Sequence, residues 1–216
     1  RGVPPGRGAS SLSTDAPSHH YGGKCWLCGR RVDCCNMFCP CGNAILPVHE
    51  SCDYFELFGL EESYTIDMDA LEASFLDLQK RLHPDRFSTK SEEEQEASHI
   101  NSSTVNRAYQ TLRCPSLRAA YVLGMRGVDM LEEGSRVSDP ELLAEVMDMR
   151  ERIDDMQDRK EAIAYAHELL AEIQRLQELL QQALDRDDKA AMGRWAVRLR
   201  YFIKARDEAR EKIHRM

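Results

Sequence analysis

Between Pro140 and Gly193 the chain contains no glycine, and apolar residues recur there at three- and four-residue spacing. That pattern admits only long amphipathic helices. Leu142, Leu143, Val146, Met149 and Ile153 form one stripe. Ile163, Ala166, Leu170, Ile173, Leu176 and Leu180 form a second, and Trp195, Leu199, Phe202 and Ile203 a third. Asp139 can cap the first helix with Pro140 at its first position, a favoured pair. Asp154-Asp155 and Asp185 to Asp188 mark the bends. Three such helices predict an antiparallel bundle over residues 137–216. Residues 139–188 carry fifteen acids against six bases, and residues 189–216 three acids against nine bases. The last helix is therefore expected to pair electrostatically with its acidic neighbours, and the remaining acid to form a solvated face.

A second set of helical signals lies upstream. Leu71, Phe75, Leu78 and Leu82 share one helical face. Pro84 disfavours helical geometry at His83, so that helix should stop near Leu82. Lys80 and Arg81 suit the negative end of its dipole. Ser91 with Glu94 is a capping box that opens the next helix, expected to run to about Arg113 with Val105, Ala108, Tyr109 and Leu112 inside. His83-Pro84-Asp85 thus sits on an exposed loop between two helices. Asp53 to Glu56 repeats the capping pattern, Gly59 stops that short helix, and Ile66 with Leu71 reads as a hydrophobic staple around Asp67. A further helix is expected over Leu117–Met125, with a turn-rich boundary at Val128 to Ser138.

Seven of the eight cysteines fall between Cys25 and Cys52. Cys25-Trp26-Leu27-Cys28-Gly29 has the shape of a zinc knuckle, in which two thiolates face one ion from a tight turn. The second knuckle is expected at Cys39-Pro40-Cys41-Gly42, one residue shorter than the ideal spacing. Cys35 is an alternative to Cys39 or Cys41, and Cys34 and Cys52 are more remote substitutes. A segment of about 25 residues has too little core to fold alone, so structural Zn2+ would supply the missing stability. A disulfide framework would need an oxidising compartment. A redox-active Cys-x-x-Cys would need a strand–helix context not seen here. Cys114 reads as an inert, partly buried thiol.

The net charge of −8 argues against nucleic acid as the main partner. No apolar run approaches the ~20 residues of a membrane span, so no membrane partner is expected. The chain opens at Arg1 and reads as a fragment or processed chain. Residues 1–14 hold no acid but two arginines and several serines. That composition suits either the tail of an organellar transit peptide or a flexible leader, with disorder expected over residues 1–22.

The helix, His-Pro-Asp loop and helix, with a short helix before them, resemble the J-domain of co-chaperones that stimulate DnaK-type ATPases. Asp53-Tyr54-Phe55-Glu56-Leu57-Phe58-Gly59-Leu60, the loop, Val105 to Leu112 and the closing bundle resemble, in that order, the HscB family of iron–sulfur cluster assembly. The cysteine segment looks like that of its mitochondrial members, although the shortened second knuckle departs from their pattern. The resemblance implies an all-α fold: a J-domain hairpin at 52–127 and a three-helix bundle, preceded by a zinc-knuckle or ribbon segment at 23–48. It implies an adaptor rather than an enzyme, in the mitochondrial matrix or also the cytosol. His83, Pro84 and Asp85 would trigger hydrolysis on a DnaK-type mitochondrial chaperone, with Arg81 helping docking. Leu143, Met147 and Tyr201 would be apolar contacts, and Asp148 and Glu151 acidic contacts, for an IscU-type scaffold. Metal ligands would be Cys25, Cys28, Cys39 and Cys41, and weak homo-oligomerisation is left open. Two other functions stay in view. One is a J-domain adaptor for a different client, and the other a thiol oxidoreductase using Cys25 and Cys28.

Overall fold

The computed structural model describes residues 21–42, 44–128 and 140–216. Most of the expected leader, the cap at Asp139 and most of the expected boundary lie outside the described residues. The described residues begin two residues before the expected start of the cysteine segment. Strand β1 (Tyr21–Lys24) pairs antiparallel with β2 (Arg31–Asp33), with Gly23 opposite Val32 and a bulge between Tyr21 and Gly23. Phe38 and Ile45 form a further antiparallel bridge. Cys25, Val32, Cys39, Ala44 and Leu46 make a small core of their own.

The helices follow their start and stop signals closely. In α1 (Tyr54–Phe58) the Asp53 carboxylate accepts from the Phe55 N–H, and Gly59 closes the helix at φ 67°, a left-handed conformation that favours glycine. In α2 (Met68–Arg81) the Asp67 carboxylate accepts from the Asp69 and Ala70 N–H groups. Helix α3 (Glu92–Arg113) opens on the full reciprocal box of Ser91 and Glu94. Helix α4 (Pro115–Met125) starts two residues earlier than expected, because Pro115 is itself the first helical residue. Leu71, Leu78 and Leu82 of the hairpin are buried with Val105, Ala108 and Leu112. Phe75 is only half-buried and stacks on Tyr109, ring centroids 3.9 Å apart.

Helices α5 (Pro140–Asp155), α6 (Arg159–Asp185) and α7 (Lys189–Arg215) form the bundle. The inward face of α6 differs from the expected one. Ile163 and Leu170 are exposed, while Ala162, Tyr165 and Leu169 are buried. The apolar arc of this helix is wider than the seam its neighbours cover, so its edge stays in water. Leu143 likewise leaves the α5 stripe for solvent. Pairing between α5 and α7 is real but limited. Arg198 meets Glu145, and Lys212 Nζ donates to the Ile153 and Asp154 carbonyls at 2.6 and 2.5 Å, capping the end of α5. Lys204, Arg206 and Arg215 pair within α7 instead.

The hairpin docks on the far end of the bundle through α4 against α7. Gln181 Oε1 accepts from Ser63 Oγ at 3.1 Å and from the Thr65 N–H at 3.0 Å. Gln177 donates to the Tyr64 hydroxyl at 3.3 Å. Tyr64 is fully buried, and the buried Arg118 guanidinium lies 5.0 Å from its ring centre while donating to the Leu112 carbonyl at 2.6 Å. Arg126 reaches Glu62 at 2.7 Å and Asp187 at 3.8 Å.

Candidate functional site

The His83-Pro84-Asp85 stretch folds as a 3-10 turn over Pro84–Arg86, because proline at the first position fixes φ. His83 caps that turn, its Nδ1 accepting from the Asp85 N–H at 3.3 Å. The Asp85 carboxylate lies 3.5 Å from the same nitrogen and its side chain is 90% exposed. Ser88 Oγ donates to the Asp85 carbonyl at 3.0 Å. The buried Ser98 hydroxyl of α3 donates to the Leu82 carbonyl at 3.0 Å. Both ends of the turn are therefore anchored while its imidazole and carboxylate stay open to a partner.

Arg81 lies one turn back on α2, paired with Asp77 at 3.4 Å. Its guanidinium also covers the Phe38 ring at 4.1 Å. The cysteine segment thus packs beside the His-Pro-Asp turn, and Phe38, Cys39, Ile45, Arg86 and Lys90 line one groove there of about 380 Å³. A stronger tie lies deeper. Asn101 of α3 is wholly buried, accepts from the Val48 N–H at 2.7 Å and donates to the Leu46 carbonyl at 2.8 Å. Neither Phe38 nor Asn101 was legible as a contact, because both partners are remote in sequence.

Cys25, Cys28, Cys39 and Cys41 converge, with all four sulfurs within 4.8 Å of one another. Cys25 Sγ is 4.0 Å from Cys41 Sγ, and Cys28 Sγ is 3.6 Å from Cys39 Sγ. Thiolates at ~2.3 Å from one tetrahedral ion would stand about 3.8 Å apart, so the cage fits such an ion. The shortened knuckle closes because Gly42 adopts φ 80° and the Cys41 N–H points to Cys39 Sγ at 3.5 Å. Burial pushes the Cys25 thiol up, but the backbone of Cys28 and Leu27 outweighs it and brings it down to about 7. The Cys41 backbone favours the Cys39 thiolate, yet burial and the neighbouring thiols push it up to about 12. Thiols this close resist ionising together unless a cation joins them. Cys35 belongs elsewhere: it is disulfide-bonded to Cys52, seventeen residues away. Cys114 is half-buried beside Ser116.

On α5, Leu143 and Met147 are 53% and 69% exposed, unusual for large apolar side chains on a bundle helix. Asp148 and Glu151 are exposed on the same helix. Spacings of four, one and three residues from 143 through 147 and 148 to 151 keep them on one side. Tyr201 of α7 is half-buried. It lies on the helical stripe of Arg198 and Lys212, the two residues that grip α5.

Residues 138–210 match the description of the HSCB C-terminal oligomerisation domain. An Arabidopsis thaliana protein described as an iron–sulfur cluster co-chaperone protein HscB homolog is 40% identical over 137 residues, 63% of this chain. That match spans about half of the plant protein, 53% of its length. The crystal structure of human co-chaperone protein HscB superposes with a TM-score of 0.78 at 27% identity, covering 88% of this chain and 98% of that one. Chaperone HscB from Vibrio cholerae gives a TM-score of 0.66 at 30% identity, covering 74% and 96%.

Proposed function

The chain belongs to the HscB family of co-chaperones, and on that premise we propose that it couples an iron–sulfur scaffold to a DnaK-type ATPase. The observation that carries this reading is the anchored, outward-facing His83-Pro84-Asp85 turn. Asp85 offers a pre-positioned carboxylate to a cationic group on the chaperone, and the imidazole beside it fixes the backbone through the Asp85 N–H. Holding the turn rigid before binding removes an ordering cost from the encounter. Hydrolysis occurs on the partner, so the chain is an activator and not itself the enzyme.

The bundle supplies the second grip. Leu143, Met147 and Tyr201 offer apolar surface, and Asp148 and Glu151 offer flanking carboxylates, to an IscU-type scaffold carrying the nascent cluster. Two partners held on one rigid adaptor meet at high effective concentration. The docking of α4 on α7 supports such a rigid link. Zn2+ is the ion assigned to Cys25, Cys28, Cys39 and Cys41. It would neutralise the thiolates and hold the knuckles closed, a structural role for a segment with a very small core. The resemblance of that segment to mitochondrial members of the family supports a location in the mitochondrial matrix, which import into isolated mitochondria tests.

The test of the main reading is single-turnover ATP hydrolysis by a mitochondrial DnaK-type chaperone. The wild-type chain should accelerate it and His83→Gln should not. Equal rates with either chain would overturn the reading.

A further inference from the structure

Three cysteines outside the four-thiol cage gather where the cysteine segment meets α1. Cys34 and Cys35 follow β2 directly, and Cys52 lies just before the cap of α1. Cys34 Sγ stands 3.7 Å from Cys35 Sγ, which is bonded to Cys52. Glu56, in the first turn of α1, brings a carboxylate oxygen within 4.8 Å of the Cys34 and Cys35 sulfurs. The Asp53 carbonyl lies 3.6 Å from Cys35 Sγ and 3.4 Å from Cys52 Sγ.

A disulfide that only ties two segments together has no use for a third sulfur and a carboxylate. Cys34 is 2% exposed and rests its sulfur on the disulfide. Glu56 forms no ion pair among the described residues. Cys34, Cys35 and Glu56 present two sulfurs and one oxygen, and a Cys52 thiol freed from the disulfide would add a third sulfur, a set that matches soft divalent cations such as Zn2+ or Cd2+ and not Ca2+ or Mg2+. The Cys34–Cys35 separation is already close to the ~3.8 Å expected between two thiolates on one tetrahedral ion.

We propose that reduction of the Cys35–Cys52 disulfide opens a second metal site, formed by Cys34, Cys35, Cys52 and Glu56, for a thiophilic divalent cation. Two molecules of a thiol of the glutathione class together deliver two electrons and two protons to the disulfide and leave joined as one disulfide. Cys35 and Cys52 then carry separate thiols. The entering cation displaces the thiol protons of Cys34, Cys35 and Cys52 to solvent and takes Glu56 as its fourth donor. The oxidised chain therefore ties the segment to α1 covalently, and the reduced chain ties it through the ion.

Cadmium titration of the full chain, read by sulfur-to-cadmium charge-transfer absorbance, tests this directly. The disulfide form, with its six free cysteines, should take up one equivalent at the four-thiol cage. The phosphine-reduced form, with all eight cysteines free, should take up two. In the reduced state Cys34→Ser should return uptake to one, and Cys25→Ser should weaken the other site while leaving this one. Glu56→Gln, at an exposed position, should weaken the second equivalent about tenfold without disturbing the first or the helical content. One equivalent in both redox states would overturn the proposal. So would a second equivalent that survives in a Cys34→Ser, Cys52→Ser double variant, or one of unchanged affinity in Glu56→Gln.

Discussion

Replacing Asn101 with alanine should loosen the seam between the cysteine segment and the hairpin while leaving the bundle intact. Asn101 is wholly buried, and its amide holds both the Val48 N–H and the Leu46 carbonyl. Alanine would leave those two backbone groups without partners, each costing about 1–3 kcal/mol. A total near 3 kcal/mol is a large fraction of the ~5–15 kcal/mol that holds an ordinary domain together. The loss would be local, because Asn101 bridges only this seam. Hydrogen exchange at the Val48 amide should speed up by about two orders of magnitude, the equivalent of 3 kcal/mol of opening energy. Amides of α6 and α7 should keep their protection. Asn101→Asp retains the acceptor for Val48 but sets a carboxylate oxygen against the Leu46 carbonyl, so it should lose as much or more. Unchanged Val48 exchange in the alanine variant would show that the amide does not hold the seam.

Tyr121→Phe removes a hydroxyl that donates to Asp53 at 2.9 Å and accepts from the Tyr54 N–H at 2.9 Å, and should lower the urea-unfolding stability by about 1–2 kcal/mol. Burial, and then the Asp53 charge, pushes the Tyr121 hydroxyl well above the ordinary tyrosine range, against the Tyr54 N–H. Its contribution is therefore complete below about pH 10 and falls as pH rises above that, and the phenylalanine variant should lack this alkaline loss in the same urea titrations. Leu143→Ala with Met147→Ala should change stability by less than about 0.5 kcal/mol, since both side chains are largely exposed. The same variant should weaken scaffold binding at least about tenfold in calorimetry, and unchanged affinity would remove the patch from the interface. A strong chelator, or acid that protonates the thiols, should release the cage ion and raise hydrogen exchange over residues 25–46, with helical circular dichroism nearly constant. Loss of helix on chelation would contradict a role confined to the segment.

The parts of the structure written in local chemistry were legible. Ser91 and Glu94, Asp67, Asp53 and Gly59 set helix ends by contacts within a few residues, and each is found doing so. Pro84 likewise dictated the His-Pro-Asp turn. The four-thiol cage could be read from spacing, although its short knuckle depended on a left-handed Gly42. Contacts across long sequence separations were not legible. Gln177 meets Tyr64 113 residues away, and Asn101 meets Val48 across 53. No local pattern marks Cys35 as the partner of Cys52. Ile163 and Leu170 were misplaced for the same reason, since which edge of a wide apolar arc is covered depends on the neighbouring helices.

Coupling between the two grips is the central claim, and steady-state ATPase of a mitochondrial DnaK-type chaperone, with an IscU-type scaffold titrated in, measures it most directly. Stimulation by the wild-type chain should rise more than additively with scaffold. His83→Gln should abolish it at every scaffold concentration, and the Leu143, Met147 double variant should keep the basal stimulation but lose the synergy. Stimulation indifferent to scaffold would leave a J-protein serving another client, and no stimulation at all would contradict the function proposed for the His83-Pro84-Asp85 turn.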